Sequence, residues 1–261
     1  MSNCKHLPFV SCLAVLLLAA LPISCGLDNT ETERQEVLDR LRTLGVAAEP
    51  LVPQIPLDSD APQQVILTLH VATPATDAVV VEPFRNPSRK GASVVLLEQQ
   101  ITIDTTATLE QKIGNLRILT FKATVNVPSE KYWHGARGGT VQYGFKVSSG
   151  SRTEYVSGEF LAFRLGEAEL AWKNPTLLIK YPEDSASMAK DVNGEITMAI
   201  TKSQNELVRP GWFVSSGVVE QRRGETTNWK PNQSGEQAII ATARGADSLG
   251  FAIQVIKVTV P

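Results

Sequence analysis

From Gln63 onward, positions of opposite facing alternate along the chain: Val65, Leu67 and Leu69 interleave with Ile66, Thr68 and His70 up to Pro74. A period of two is the mark of a half-buried strand. The same period predicts strands at 78–82, 92–104, 115–127, 140–148 and 153–164, separated by turn-rich stretches at Pro83 to Gly91 and Gly135 to Gly139. Six strands at this spacing predict a sandwich. The alternation lapses between Leu165 and Asn174, and Asn174-Pro175 reads as a restart, so a domain boundary is expected there. A second set follows at 176–180, 194–201, 210–215, 226–229, 236–243 and 249–260. Asn193-Gly194, Ser216-Gly217, Arg223-Gly224, Ser234-Gly235 and Ala246-Asp247 punctuate it. Without crossover helices the pairing should be antiparallel. The expected fold is all-β: two tandem antiparallel β-sandwiches at 50–165 and 175–261, joined by a linker at 166–174.

Upstream of these strands the period changes. Thr30 and Glu33 have capping-box spacing, and Val37, Leu38, Leu41 and Leu44 fall at helical intervals before Gly45, which predicts a short amphipathic helix over 31–44. A competing reading makes Leu41 to Glu49 the first strand of the following domain. Residues 25–49 are therefore expected to hold a tether followed by a helix or a first strand.

The 261 residues suffice for two ordinary domains, and 43% hydrophobic with 20% charged residues is globular composition. Residues 1–24 form an export segment: Lys5 precedes an apolar run from Phe9 to Leu21. That run fits a signal-peptide core and falls short of the roughly 20 apolar residues of a membrane-spanning helix. Its removal takes away Lys5 and no carboxylate. Charge then stays mildly negative, which argues against nucleic acid as a partner.

All three cysteines, Cys4, Cys12 and Cys25, lie within or at the edge of the export segment, so no disulfide framework is available to the body. Leu21-Pro22-Ile23-Ser24-Cys25-Gly26 resembles the bacterial lipoprotein processing site, in which a small residue precedes the cysteine that takes a diacylglycerol. Pro22 departs from the pattern, which prefers Leu three residues before the cysteine. The resemblance implies cleavage before Cys25, lipid on Cys25 as the membrane link, and, with Gly26 rather than Asp next to it, an outer-membrane destination.

Residues 211–260 carry a second resemblance. Trp212 in Gly-Trp-Phe-Val, Trp229-Lys230-Pro231, Gly235 and the alternating Ile253 to Val260 stand in the order found in bacterial immunoglobulin-like and PKD-like modules. That resemblance implies immunoglobulin-like sandwiches with Trp212 in the core between two sheets. Together with Leu-Arg-Thr-Leu-Gly-Val-Ala-Ala-Glu-Pro at 41–50, the layout resembles two-domain envelope lipoproteins of Gram-negative bacteria. The chain has Arg244-Gly245-Ala246-Asp247 where such modules often carry Asp-Gly, which weakens any calcium reading of that turn.

Catalytic chemistry is thinly supplied. Only His70 and His134 remain after the export segment, and no Gly-x-Ser-x-Gly elbow occurs. His70 reads as a strand residue on a polar face. Three or four zinc ligands cannot be assembled from one terminal Cys and two distant His. Asp191-Val192-Asn193-Gly194-Glu195 has the beginning of a calcium loop without its remaining ligands, and an Asn-Gly hairpin turn accounts for it. No metal or other cofactor is expected. The segment Lys131 to Gly139 combines Tyr132, Trp133 and Arg137, types favoured at binding hot spots, with His134 and three glycines that permit unusual backbone conformations; the competing reading has Tyr132 and Trp133 plug the sandwich end.

The expected function is a lipid-anchored, non-enzymatic binding or scaffolding protein of the cell envelope, held to the membrane through Cys25, with an envelope protein or glycan as partner. A carbohydrate- or peptidoglycan-directed enzyme using carboxylates on the sandwich, and a spacer without ligand, are the alternatives. Oligomeric state is left open by the sequence.

Overall fold

The computed structural model describes residues 37–57, 61–74, 76, 78–85, 94–164, 172–202, 207–245 and 249–261. The export segment, Cys25, residues 31–36 of the expected helix, most of the Pro83 to Gly91 turn, most of the linker and Ala246-Asp247 lie outside these residues. Within the described chain the fold is all-β, with two β-sandwiches in sequence.

The first sandwich opposes two sheets. One contains β1 (Arg42–Glu49), β2 (Gln64–Thr73), β7 (Leu116–Asn126) and β5 (Ile101–Ile103), with β6 (Leu109–Ile113) also on β7. The other joins β3 (Val79–Pro83), β8 (Gly138–Ser149), β4 (Val94–Val95) and β9 (Arg152–Phe163). All pairings are antiparallel except β4 on β8, which is parallel. The expected strand at 92–104 is therefore two strands in two sheets. A 3₁₀ turn at Glu98–Gln100 carries the chain from β4 in one sheet to β5 in the other. Val65, Leu67, Leu69 and Val71 of β2 meet Tyr143, Phe145 and Phe160 across the first core.

The second sandwich opposes a sheet of β10 (Thr176–Tyr181), β11 (Gly194–Thr201), β14 (Thr226–Lys230) and β13 (Val218–Val219) to one of β12 (Val208–Val214), β15 (Gly235–Gly245) and β16 (Phe251–Val260). Trp212 and Trp229 are fully buried between them, as the sequence predicts for Trp212. Each indole N–H is satisfied: Trp212 donates to the Gly224 carbonyl at 2.8 Å and Trp229 to the Ser216 carbonyl at 2.8 Å. A buried indole left unpaired would lose the value of its burial.

A third apolar cluster lies between the sandwiches. Leu116, with Ile113 and Ile118 of the first sandwich, packs on Phe213, Ala238 and Ile240 of the second. The layers thus run β3-β8 sheet, β1-β2-β7 sheet, β12-β15-β16 sheet, β10-β11-β14 sheet, and both sandwiches belong to one compact unit, Glu36–Pro261. β15 is covered on both faces: Ile239 and Ala241 point into the second core, Ala238 and Ile240 into the seam. This two-sided burial explains why 238–243 reads as an apolar run broken only by Thr242.

The same two-sidedness overturns the predicted helix. Residues 42–49 form β1, the competing reading, and Val37–Leu41 run non-helically along the second sandwich, where the Leu38 N–H donates to the Val214 carbonyl at 2.8 Å. Leu41, Val46 and Ala48 enter the first core while Leu38 and Leu44 enter the seam, so burial at 38, 41 and 44 mimics helical spacing. A bulge between Thr43 and Gly45 lets the strand serve both. Asn193-Gly194 is also no two-residue hairpin turn: Gly194 opens β11 after a loop that begins at Pro182.

Asn174, the residue of the predicted restart, clasps the sandwiches. Its amide donates to the Ala48 carbonyl at 2.8 Å and its side-chain carbonyl accepts the Phe251 N–H at 3.0 Å. The Phe251 ring lies over Gly45, where any Cβ would collide with it. Gly45→Ala should therefore destabilise the protein by roughly 1–3 kcal/mol, as overpacking does. Combined with Phe251→Leu, the losses should be clearly less than additive in urea unfolding; full additivity would place the strain elsewhere.

Candidate functional site

The aromatic loop is placed as follows. A 3₁₀ turn at Glu130–Trp133 leads into His134, whose φ of 47° is left-handed, and Gly135. Trp133 is only 3% exposed, packs in the first core and donates its indole N–H to the Pro128 carbonyl at 3.1 Å. The plug reading holds for this ring, and Trp133 is withdrawn as a binding anchor. Tyr132 is the opposite case at 51% exposed, and His134 and Arg137 are exposed. Turn geometry separates neighbours: a 3₁₀ turn sends adjacent side chains in different directions.

Tyr132 stands at the rim of a hollow of about 620 Å³ at one end of the first sandwich. Gln64, Gln99, Gln100 and Asn126 supply amides, and Thr102, Thr124 and Ser129 hydroxyls; Lys131 is the one charged lining residue among those described. The strand ends of β2, β5 and β7 and the Glu98–Gln100 turn hold these groups. Neither His134 nor Arg137 lines it. Sequence reasoning found the tyrosine but missed the amides, which are scattered from 64 to 126 and meet only through strand pairing.

A second concavity of about 430 Å³ opens at the seam, between β1 and β9 on one side and β12, β15 and the loop after β13 on the other. Arg209, Arg222, Arg223 and Arg244 line it together with Thr43 and Tyr155. Nothing in the sequence reading pointed here, because the arginines are spread from 209 to 244 and the seam itself was not foreseen. Interfaces between packed units are a preferred place for ligand sites.

His70 sits near this seam. On β2 it points away from the first core, with Thr120 Oγ1 at 3.2 Å from its Nδ1 and the Phe251 ring 6.1 Å away. The expected polar face is covered by the second sandwich. Burial pushes its pKa from 6.5 down to about 4.

No protein-family model matches the chain, and no curated protein matches it. Among solved structures it is similar to fibronectin(III)-like modules of Clostridium thermocellum CbhA, at 15% identity and a TM-score of 0.31, over 82% of this chain and 93% of that one. The titin Ig tandem A164-A165 gives 10% identity and a TM-score of 0.27, over 85% and 97%. The N-terminal Ig1-2 module of the Drosophila receptor protein tyrosine phosphatase DLAR gives 8% and 0.27, over 85% and 99%. Superpositions this loose carry no weight; the sandwich assignment stands on the strand pairing and the interior cores.

The histidine makes a pH prediction with a fixed sign. The folded state favours neutral His70, so its contribution is complete above the unfolded pKa of 6.5 and is lost as pH falls toward 4. The shift corresponds to a loss on the order of 3 kcal/mol. Urea midpoints should fall across that window, and His70→Gln should flatten the fall; an identical profile in the variant would contradict this.

Proposed function

We propose that the chain is an exported protein, cut before Cys25 and held to a bacterial outer membrane by lipid on that cysteine, whose paired sandwiches act as a non-enzymatic binding or scaffolding module. The observation that carries the binding reading is the hollow beside Tyr132. Amides and hydroxyls around an exposed aromatic ring are the groups that hydrogen-bond and stack on a sugar, which favours an envelope glycan over a protein as partner. Strand ends are rigid supports, so the polar groups need little ordering when a ligand arrives.

The anchor reading rests on Ser24-Cys25 following an apolar run too short to span a bilayer. The polar residues that follow the cysteine would set the module's reach from the lipid surface.

One experiment tests both halves. The wild-type chain, Cys25→Ala and Tyr132→Ala are expressed in a Gram-negative host with labelled palmitate, and each is assayed for envelope-glycan capture. Cys25→Ala should lose the label and leave the membrane fraction. Tyr132→Ala should keep both, melt unchanged, and lose more than about tenfold in capture, a difference of about 1.4 kcal/mol. Label persisting in Cys25→Ala would remove the anchor; undiminished capture by Tyr132→Ala would remove the glycan site.

A further inference from the structure

The seam cleft concentrates positive charge in a chain whose formal charge is −2. Arg209 on β12, Arg222 and Arg223 on the loop after β13, and Arg244 on β15 all line it, and its described lining includes no carboxylate. Glu154, which bonds to the lining residue Thr43, is already engaged. It accepts from Arg42 Nη1 at 3.1 Å, from the Thr43 N–H at 2.7 Å and from Thr43 Oγ1 at 3.2 Å.

Two of the arginines are set in place by the fold. The Arg222 guanidinium lies 4.9 Å from the Phe213 ring centre, and that of Arg244 lies 5.8 Å from the Phe251 ring centre. Both make further contacts within the protein. These aromatic contacts fix where the two guanidinium groups sit beside the cleft. The loop carrying Arg222 and Arg223 is fastened from below by the buried Trp212, whose backbone N–H donates to the Arg222 carbonyl at 3.1 Å and whose indole donates to Gly224. Arg209 and Arg223 are exposed, and no ion pair among the described residues engages them.

We propose that this cleft binds a compact phosphorylated ligand carrying at least two negative charges. Arg209 and Arg223 alone bring two positive charges to the cleft, more than one carboxylate neutralises, whereas phosphate takes bidentate arginine contacts on several oxygens and brings about two charges per monoester. The cleft volume is within the range of small-ligand sites, wide enough for a phosphorylated sugar or the headgroup of a phospholipid. The site is distinct from the hollow beside Tyr132 and does not depend on the lipid anchor.

The test uses the chain from Gly26 onward, which contains every element of the described body and lacks Cys25. Inorganic pyrophosphate is titrated calorimetrically into wild type, the Arg209→Gln/Arg223→Gln double variant and Lys230→Gln, an exposed cation on the outer sheet. The double variant should bind at least about tenfold more weakly, with wild-type melting, and Lys230→Gln should bind as wild type. Flotation with phosphatidylcholine vesicles, with and without phosphatidic acid, separates the sources. Pyrophosphate binding with flotation only on phosphatidic acid identifies a lipid headgroup, and pyrophosphate binding without flotation identifies a soluble phosphate ester. Absence of binding to pyrophosphate and vesicles alike, or equal loss in Lys230→Gln and the arginine variant, overturns the proposal.

Discussion

The packing of one sandwich's inner sheet directly on that of the other is the constraint from which the remaining features follow. Leu38, Leu44, Ile113, Leu116 and Ile118 close on Phe213, Ala238 and Ile240, and all are buried. Each aliphatic or aromatic side chain removed from water in this way contributes roughly 1.5–3 kcal/mol before ordering costs. Contacts between domains of one chain are usually more polar and permit relative motion. An apolar seam of this kind joins the two sandwiches side by side. Because β15 lies between two cores, neither face of that strand can shift without disturbing the other.

The seam also accounts for the polar features near it. Asn174 spends its side chain on one backbone group from each sandwich, and Phe251 occupies the space that Gly45 leaves. A gap remains between β1 and β9 on one side and β12 and β15 on the other, and the arginines of the second sandwich line it. Trp212 links core to cleft: its ring fills the second sandwich and holds the Gly224 carbonyl, and its backbone N–H holds the Arg222 carbonyl. The hollow beside Tyr132 belongs to the far end of the first sandwich and draws on a different set of strand ends.

Much of this was legible in the residues. Strands in which only one face is fully buried, such as β2 and β11, announce themselves by alternation, and 194–201 agrees with the prediction at both ends. Three kinds of element escaped. Edge pieces with little burial, β6 and β13, leave no apolar period to read. A run that changes sheets, 94–103, looks like one strand because no Gly or Pro marks the 3₁₀ turn at Glu98–Gln100. Strands buried on both faces lose their alternation, and Leu38, Leu41 and Leu44 imitate a helix by serving two cores in turn. For the sites, residue type pointed to the 131–139 loop but could not separate buried Trp133 from exposed Tyr132. Neither concavity is local in sequence: one gathers amides from 64 to 126, the other residues from 43 to 251.

The central claim is that the seam makes one folding unit of two sandwiches, and differential scanning calorimetry of the chain measures this most directly. A single reversible transition whose calorimetric enthalpy equals its van't Hoff enthalpy is the predicted result. Two resolved transitions, or a calorimetric enthalpy near twice the van't Hoff value, would mean that the sandwiches unfold independently and would contradict the account.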